Sequence, residues 1–330
     1  TACSTARLTG SYPQCPVNSP FSRIAATVGR QCYSWGASMR LDHLADAVVR
    51  AVIPFQGGLR RLKRRLRPYE EDDANSDYCI TNGLEQLAAL RRLSIAVDGA
   101  EVLEFGVGWT PLIPLLFHMA GARRLVLTDV ARLMDEHTLA RAREIVAARV
   151  EDAARVLDRP AGDLLARLHG PFPHDYLVPW NPEAHPAGSV DIVISRAVLE
   201  HVPQPQIAVF FRQFHRILRE RGVMCHVIDN SDHWQHKDRG LSRVEFLRYE
   251  ETELVWRLAQ MNEQAFQNRL RHSDYERMMR DAGFRVLLAE GEPDALCLRD
   301  LERIPLSSRF RGYAPRDLAI LISLIVTTKV

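Results

Sequence analysis

From residue 101 onward the chain alternates short apolar runs with longer stretches of helical spacing. "EVLEF" (101–105) and "LVLT" (125–128) read as strands, because short apolar runs bounded by glycine or aspartate suit a buried pleated segment. A helix is predicted between them, at about 110–120. Long helices follow across 135–168, then a short strand near 175–178 and a strong one at "VDIVIS" (190–195). "IAVFFRQFHRILRE" (207–220) carries the 3.6-residue spacing of a helix, and "GVMCHVID" (222–229) predicts the next strand. "GFRVLLAE" (283–290) and "LAILISLIV" (318–326) predict two closing strands. The expected fold is α/β: a doubly wound, mostly parallel seven-stranded sheet with helices on both faces.

Three segments do not fit that alternation. Residues 1–22 hold Ser, Thr, Pro and Gly without periodicity and are expected to be a poorly ordered arm. Residues 23–80 are expected to form an N-terminal helical cap, leaving 81–330 as the sheet domain. In that cap "LRRLKRRLR" (59–67) sets Leu59, Leu62 and Leu66 on one face and six cations elsewhere. Such a helix could bind an anionic surface, or its cations could pair with "EEDD" (70–73). Residues 242–283 read as an insertion after the fifth strand. The cap and the insertion are expected to form a lid over the carboxyl edge of the sheet.

Composition narrows the classes. The chain has 330 residues, 46% hydrophobic and 25% charged, with a net charge of +2. That charge selects no acidic partner. The six cysteines are scattered without a CxxC pair, which signals neither a zinc site nor a disulfide framework and fits a reducing cytoplasm. The longest apolar run is too short to span a bilayer. No secretory signal pattern opens the sequence, which begins with Thr1, so the first residue is not taken as a native start. A homodimer is left open.

The candidate chemistry starts at "VLEFGVGWT" (102–110). In a doubly wound sheet, ligands bind outside the carboxyl ends of the strands. Gly106 and Gly108 sit there, and a Gly-x-Gly turn lets backbone approach a ligand because neither residue has a Cβ. Thr110 is expected to cap the next helix, with Pro111 at its first position. A dinucleotide turn would place its third glycine where Pro111 stands, which argues against NAD. Glu104 would repel phosphates but could receive an amino group, and Asp129, closing the second strand, could accept both ribose hydroxyls.

These residues resemble motif I and the second-strand acid of the class I, Rossmann-like, S-adenosylmethionine (SAM)-dependent methyltransferases. "SVDIVISRAVLEHV" (189–202) resembles their later signature, and "FHRILRERGVMCHVID" (214–229) the helix, turn and strand after it. The resemblance covers about 80–330. It implies SAM as cofactor and S-adenosylhomocysteine as co-product, with Glu104, Gly106, Gly108, Thr110, Asp129, Ser195 and Arg196 as the residues expected to hold them; Trp109 stands where many relatives have a small residue and is expected to shape the cofactor pocket. Where relatives carry an acid after strand three, this chain reads "YLVPWNPE" (176–183), so Val178 and Trp180 are expected to flank adenine by apolar contact.

A hydroxyl acceptor must lose its proton, and histidine is the natural base near neutral pH. His233, just past the fifth strand in "VIDNSDHWQHKDRG" (227–240), is the expected base. His201 is the alternative, and Asp229 could orient either ring. A metal site is possible on ligand types alone, and Asp229-Asn230 resembles the Asp-Asn that ends strand five in catechol-type methyltransferases, but their Asp closing strand four is Ser195 here, so no metal is expected. Arg248, Arg269 and Arg271 in the insertion are candidates to bind an acidic substrate, with ordinary salt-bridge partners as the other reading. The expected reaction is methyl transfer to a small-molecule or glycan acceptor, at oxygen. The alternatives are a nucleic-acid (RNA) O-methyltransferase using the basic helix, and a non-catalytic SAM-binding scaffold.

Overall fold

The computed structural model describes residues 73–236, 238–260 and 266–330. The arm at 1–22, the basic helix at 59–67 and most of the expected cap lie outside the described residues. The described chain opens on a continuous helix, α1 (Asp73–Arg92), so a boundary at residue 80 falls inside it. α1 belongs to the sheet domain: Ile80, Leu84, Leu87 and Leu90 are buried in the same core as the strands.

The sheet then builds in the expected alternation. β1 (Glu101–Phe105), α2 (Leu112–Met119) and β2 (Arg124–Thr128) come first. Three helices follow, α3 (Glu136–Ala147), α4 (Val150–Leu157) and α5 (Ala161–His169), leading to β3 (His174–Leu177). β4 (Val190–Arg196), α6 (Gln204–Ile217) and β5 (Leu218–Asp229) continue the pattern. Beyond them lie α7 (Leu254–Gln260), α8 (His272–Asp281), β6 (Phe284–Glu290), α9 (Ala295–Leu301) and β7 (Ile322–Lys329).

The seven strands lie in the order β3-β2-β1-β4-β5-β7-β6. β1 pairs in parallel with β2 and β4, β2 with β3, and β4 with β5. β7 runs antiparallel to both β5 and β6, so the sheet is mixed. Strand periodicity explains why the strands look uniformly apolar. Val102, Ile192, Ile194, Cys225 and Val326 point to one face, against α1 and α2. Leu103, Val193, Met224 and Ile325 point to the other, against Ile207, Phe211 and Phe214 of α6 and Tyr275 and Met279 of α8. With both faces covered, a strand needs no polar alternation. Burying each such side chain stabilises the fold by about 1.5–3 kcal/mol.

Three boundaries differ from the sequence reading, each for a local reason. β5 starts at Leu218 rather than Gly222, continuing from the last turn of α6, with a register break where it meets β4 between Val190 and Ile192. β7 starts at Ile322, because Pro315–Leu318 form a helical turn that takes the first residue of the apolar run. α8, placed inside the expected insertion, is a sheet-covering helix that packs on β6. The segment free to act at the carboxyl edge therefore ends near Arg271. Its apolar residues Val244, Phe246, Leu247 and Trp256 form a separate small core with Cys297, Phe310 and Leu318.

Candidate functional site

The carboxyl ends of β1, β2, β4 and β5 converge on one edge of the sheet. After β1 the chain turns through Gly106 and Gly108, with φ of 82° and 68°. Side chains other than glycine seldom adopt that region. A Cβ on Gly106 would also lie 2.6 Å from the Val198 side chain, whereas the space beside Gly108 is open. The turn is fixed by backbone: the amides of Gly106 and Val107 both donate to the Thr128 carbonyl at 3.0 Å. Asp129 completes it. One carboxylate oxygen accepts the Gly108 amide at 2.8 Å, and the other accepts the amides of Val130 and Ala131 at 2.7 and 3.3 Å. A carboxylate has about four lone-pair sites, so one remains for an incoming hydroxyl unless the Gly108 amide moves. Trp109 and Thr110 follow, half-buried. The helix after them begins at Leu112 with Pro111 at the cap position and no side-chain cap, so the expected cap at Thr110 is one residue early.

Beneath the turn sits Glu104, buried, with Oε2 lacking a hydrogen-bond partner among the described residues. Burial, and then the charge of Asp129, push its carboxyl well above the ordinary range, with Arg196 opposing. Arg196 itself is held from α1: its guanidinium lies 4.6 Å over the Tyr78 ring and donates to Asn82 at 3.2 Å. Ser195 is a correction. Its side chain turns into the sheet interior, 2.7 Å from His226 Nδ1, and its carbonyl accepts Gln86 of α1 at 3.1 Å. Strand alternation sends residue 195 to the α6 face, away from the turn. Trp180 packs edge-on to Phe105 at 6.0 Å and stacks beside Phe210 and Phe214, near the end of β2 through its amide on the Asp129 carbonyl at 3.3 Å. Its indole N–H finds no acceptor among the described residues. Val178, two residues earlier, is half-buried.

The loops after β4 and β5 form the second part of the edge. His201 Nδ1 lies 2.8 Å from the Phe266 carbonyl, which makes it the protonated nitrogen and leaves Nε2 free of that bond. The His201 and His233 rings are 4.9 Å apart, and His233 stacks on His236 at 5.0 Å. His233 Nε2 is 3.6 Å from Asp229 Oδ2. That is an ionic contact, just beyond a hydrogen bond. Burial lowers the basicity of His233, but Asp229, then Glu200, more than offset it, so the ring titrates above its ordinary value. Burial likewise pushes Asp229 up, but His233 and the Ser231 amide outweigh it and hold the carboxyl at about 2. Glu200 is buried with neither oxygen partnered among the described residues, and burial, with Asp229, pushes it up to about 8.

Both loops are fastened by the stretch 266–268, which arrives from the insertion. Asn268 Nδ2 donates to the carbonyls of Leu199 and Val202 at 2.7 and 2.9 Å, and its amide to the Glu200 carbonyl at 2.9 Å. Gln267 donates to the Ser231 carbonyl and accepts the His233 amide, at 2.8 and 3.1 Å. Ala197 and Arg269, on either side of this junction, hold positive φ of 52° and 57°, a strain that packed surroundings sustain.

The expected substrate arginines divide. Arg271 is a correction: fully buried, it donates to the carbonyls of Asn230, Leu318 and Ile320, each at 2.8 Å, and joins β5 to the C-terminal segment. Arg269 is another. Its side chain is inaccessible, 3.7 Å from the Trp256 ring centroid, bound to Glu251 at 2.7 Å and to the Phe246 and Tyr249 carbonyls. Arg248 remains half-buried, paired with Glu245 at 2.5 Å. Sequence reading missed Glu200, Gln267, Asn268, Tyr78 and Asn82. A cavity of about 500 Å³ bordered by Glu220, Arg221, Arg285 and Lys329 lies at the opposite end of the sheet, so volume alone would point away from the chemistry.

A family model described as a methyltransferase domain matches residues 78–289, well over half of the chain. No curated protein matches the sequence. Solved structures resemble it at low similarity. An S-adenosylmethionine-dependent methyltransferase from Mesorhizobium loti is 14% identical, with a TM-score of 0.42, covering 74% of this chain and 100% of its own. A SAM-dependent methyltransferase from Methanosarcina mazei is 15% identical, with a TM-score of 0.41, covering 71% of this chain and 93% of its own.

Proposed function

This chain belongs to the class I SAM-dependent methyltransferase family, with SAM as cofactor and S-adenosylhomocysteine as product, and from that premise we propose that its acceptor is an oxygen of a small molecule or glycan. Bound SAM supplies an electrophilic methyl group on a sulfonium. The residues suit it: Glu104 offers an unpartnered buried carboxylate oxygen to an ammonium, Asp129 retains one acceptor site for a ribose hydroxyl, and the space beside Gly108 is open to a ligand. In this reading Trp109, Thr110, Val178, Trp180 and Arg196 complete the cofactor pocket.

The observation that carries the oxygen acceptor is the half-buried pair His201–His233 with Asp229 behind it. An amine attacks through its own lone pair once unprotonated, whereas a hydroxyl must lose a proton as its oxygen attacks. The Val198 side chain touches the Gly106 position, and Glu200 and His201 follow it by two and three residues in the same turn, which supports a place for the histidines near the cofactor. In this reading His233 takes the acceptor proton, Asp229 orients the ring and stabilises its charge, and His201 shapes the pocket. The stretch 266–268 covers them from the insertion, and Arg248 is the accessible cation for an acidic acceptor. Among the described residues no helix is long and apolar enough to cross a membrane. A cytoplasmic setting is part of this proposal, and Cys225 and Cys297 form no disulfide among the described residues. The test is a panel of hydroxyl, amine and thiol acceptors, reading S-adenosylhomocysteine release. Turnover confined to hydroxyl acceptors supports the proposal, and turnover confined to amines or thiols contradicts it.

A further inference from the structure

Glu200 poses a question that methyl transfer by histidine alone does not answer. It is 3% exposed, and neither carboxylate oxygen has a partner among the described residues. A buried carboxylate in that state is costly unless something cationic meets it. Its neighbours are donors of the same kind. Ligand atoms of Glu200, His201 and His233 all lie within 4.8 Å of one another, the one such group of three among the described residues.

The details match what a metal ligand needs. His201 is fixed by Nδ1 on the Phe266 carbonyl, which leaves Nε2 to coordinate, and metal-bound histidines characteristically hold their other nitrogen on a carbonyl or carboxylate. His233 has Asp229 at 3.6 Å to play the carboxylate part. The backbone carbonyl of Glu200 is pinned by the Asn268 amide, so the turn carrying two of the donors is preorganised. We propose that Glu200, His201 and His233 form a binding site for a divalent transition-metal cation.

Two imidazoles and one carboxylate suit the manganese-to-zinc row and leave positions open, whereas magnesium and calcium prefer all-oxygen shells. Bonds of about 2.0–2.2 Å would draw the donors closer than their present spacing, by side-chain rotation. This inference rests on the oxygen-acceptor reading for its use: the open positions would hold the acceptor oxygen and favour its ionised form. It also revises the expectation that no metal is used, and it makes His233 a ligand rather than the base. Loss of turnover in His233→Ala therefore does not separate the two readings.

Direct binding does. The full chain, stripped with chelator, is titrated with Mn²⁺ and with Zn²⁺ by calorimetry, and Mn²⁺ is followed by electron paramagnetic resonance. The expected result is one saturable site per chain. Affinity falls at least tenfold in Glu200→Gln, a substitution of nearly equal size, and again in His201→Ala, with thermal melting confirming that each variant is folded. Absence of saturable binding overturns the proposal, as does binding unchanged in folded Glu200→Gln. If cation fails to bind while hydroxyl acceptors are still methylated, this inference falls and the histidine-base reading stands. If cation binds but no hydroxyl acceptor is methylated, the site stands and the oxygen-acceptor reading falls.

Discussion

The two halves of the carboxyl edge are built on opposite terms. In the half after β1 and β2, backbone holds the geometry: the amides of Gly106, Val107 and Gly108 are all bound to Thr128 or Asp129. In the half after β4 and β5, side chains hold it, and several polar atoms lack partners among the described residues, including both Glu200 oxygens and His233 Nε2. The first half has its backbone closed before any ligand arrives, although Glu104 Oε2 and the Trp180 indole nitrogen there lack partners among the described residues. The second stores uncompensated polarity, the signature of a place where chemistry or a charged ligand completes the structure. One edge can thus pair a generic cofactor cradle with a specific acceptor site, and the halves should respond separately to mutation.

The largest effect is expected at His233. His233→Ala should lower turnover by about 10²–10⁴ while leaving SAM affinity within a factor of about two, because the ring faces the acceptor half. Steady-state kinetics paired with calorimetry checks this, and a large loss of SAM affinity would dissolve the distinction between halves. Asp129→Ala is the converse. It removes a charged acceptor of three loop amides, and SAM affinity should weaken by about 1.5–3 kcal/mol, read by calorimetry.

Asn268→Ala sharpens the contrast from a distance. It leaves the Leu199 and Val202 carbonyls without their shared donor, which should cost about 1–3 kcal/mol in chemical denaturation. Turnover should suffer more than SAM affinity, since the loosened turn carries Glu200 and His201. The smallest effect belongs to Glu104. Its carboxyl is raised in the folded state, so its contribution to stability is full below the ordinary carboxylate range and is lost as pH rises through the folded value. Glu104→Gln should therefore match the parent near pH 4 and exceed it at neutral pH by on the order of 1 kcal/mol, at the expense of SAM affinity. Thermal melts across pH test the sign. In the parent, SAM binding should tighten with rising pH as Glu104 ionises to meet the ammonium.

The same contrast explains what could be read from sequence. Gly106, Gly108 and Asp129 were legible because a turn is local: its residue types, their spacing and the strand before them lie within a few positions. The sheet was legible for a similar reason, since each strand is a short apolar run. In the acceptor half only His201, His233 and Asp229 stood out, by residue type and by place after a strand, and the residues that hold them did not. Asn268 reaches Leu199 across 69 residues of sequence, a contact that no local pattern records. Glu200 stood inside a recognised signature, but only its burial without a partner sets it apart. Arg269 and Arg271 allowed two readings in sequence, substrate cation or internal partner, and the fold decides for the second by closing carbonyls around both, with aromatic rings and Glu251 against Arg269. Ser195 failed at the next level of detail, where alternation along β4 decides which face a side chain meets.

The most direct test of the division is a crystal structure of the chain with S-adenosylhomocysteine bound. The expected result is a ribose hydroxyl on Asp129, the amino group over Glu104, and the sulfur facing the His201–His233 pair within one water's reach. A product bound with its sulfur turned away from that pair, toward β3 or out of the edge, would contradict it.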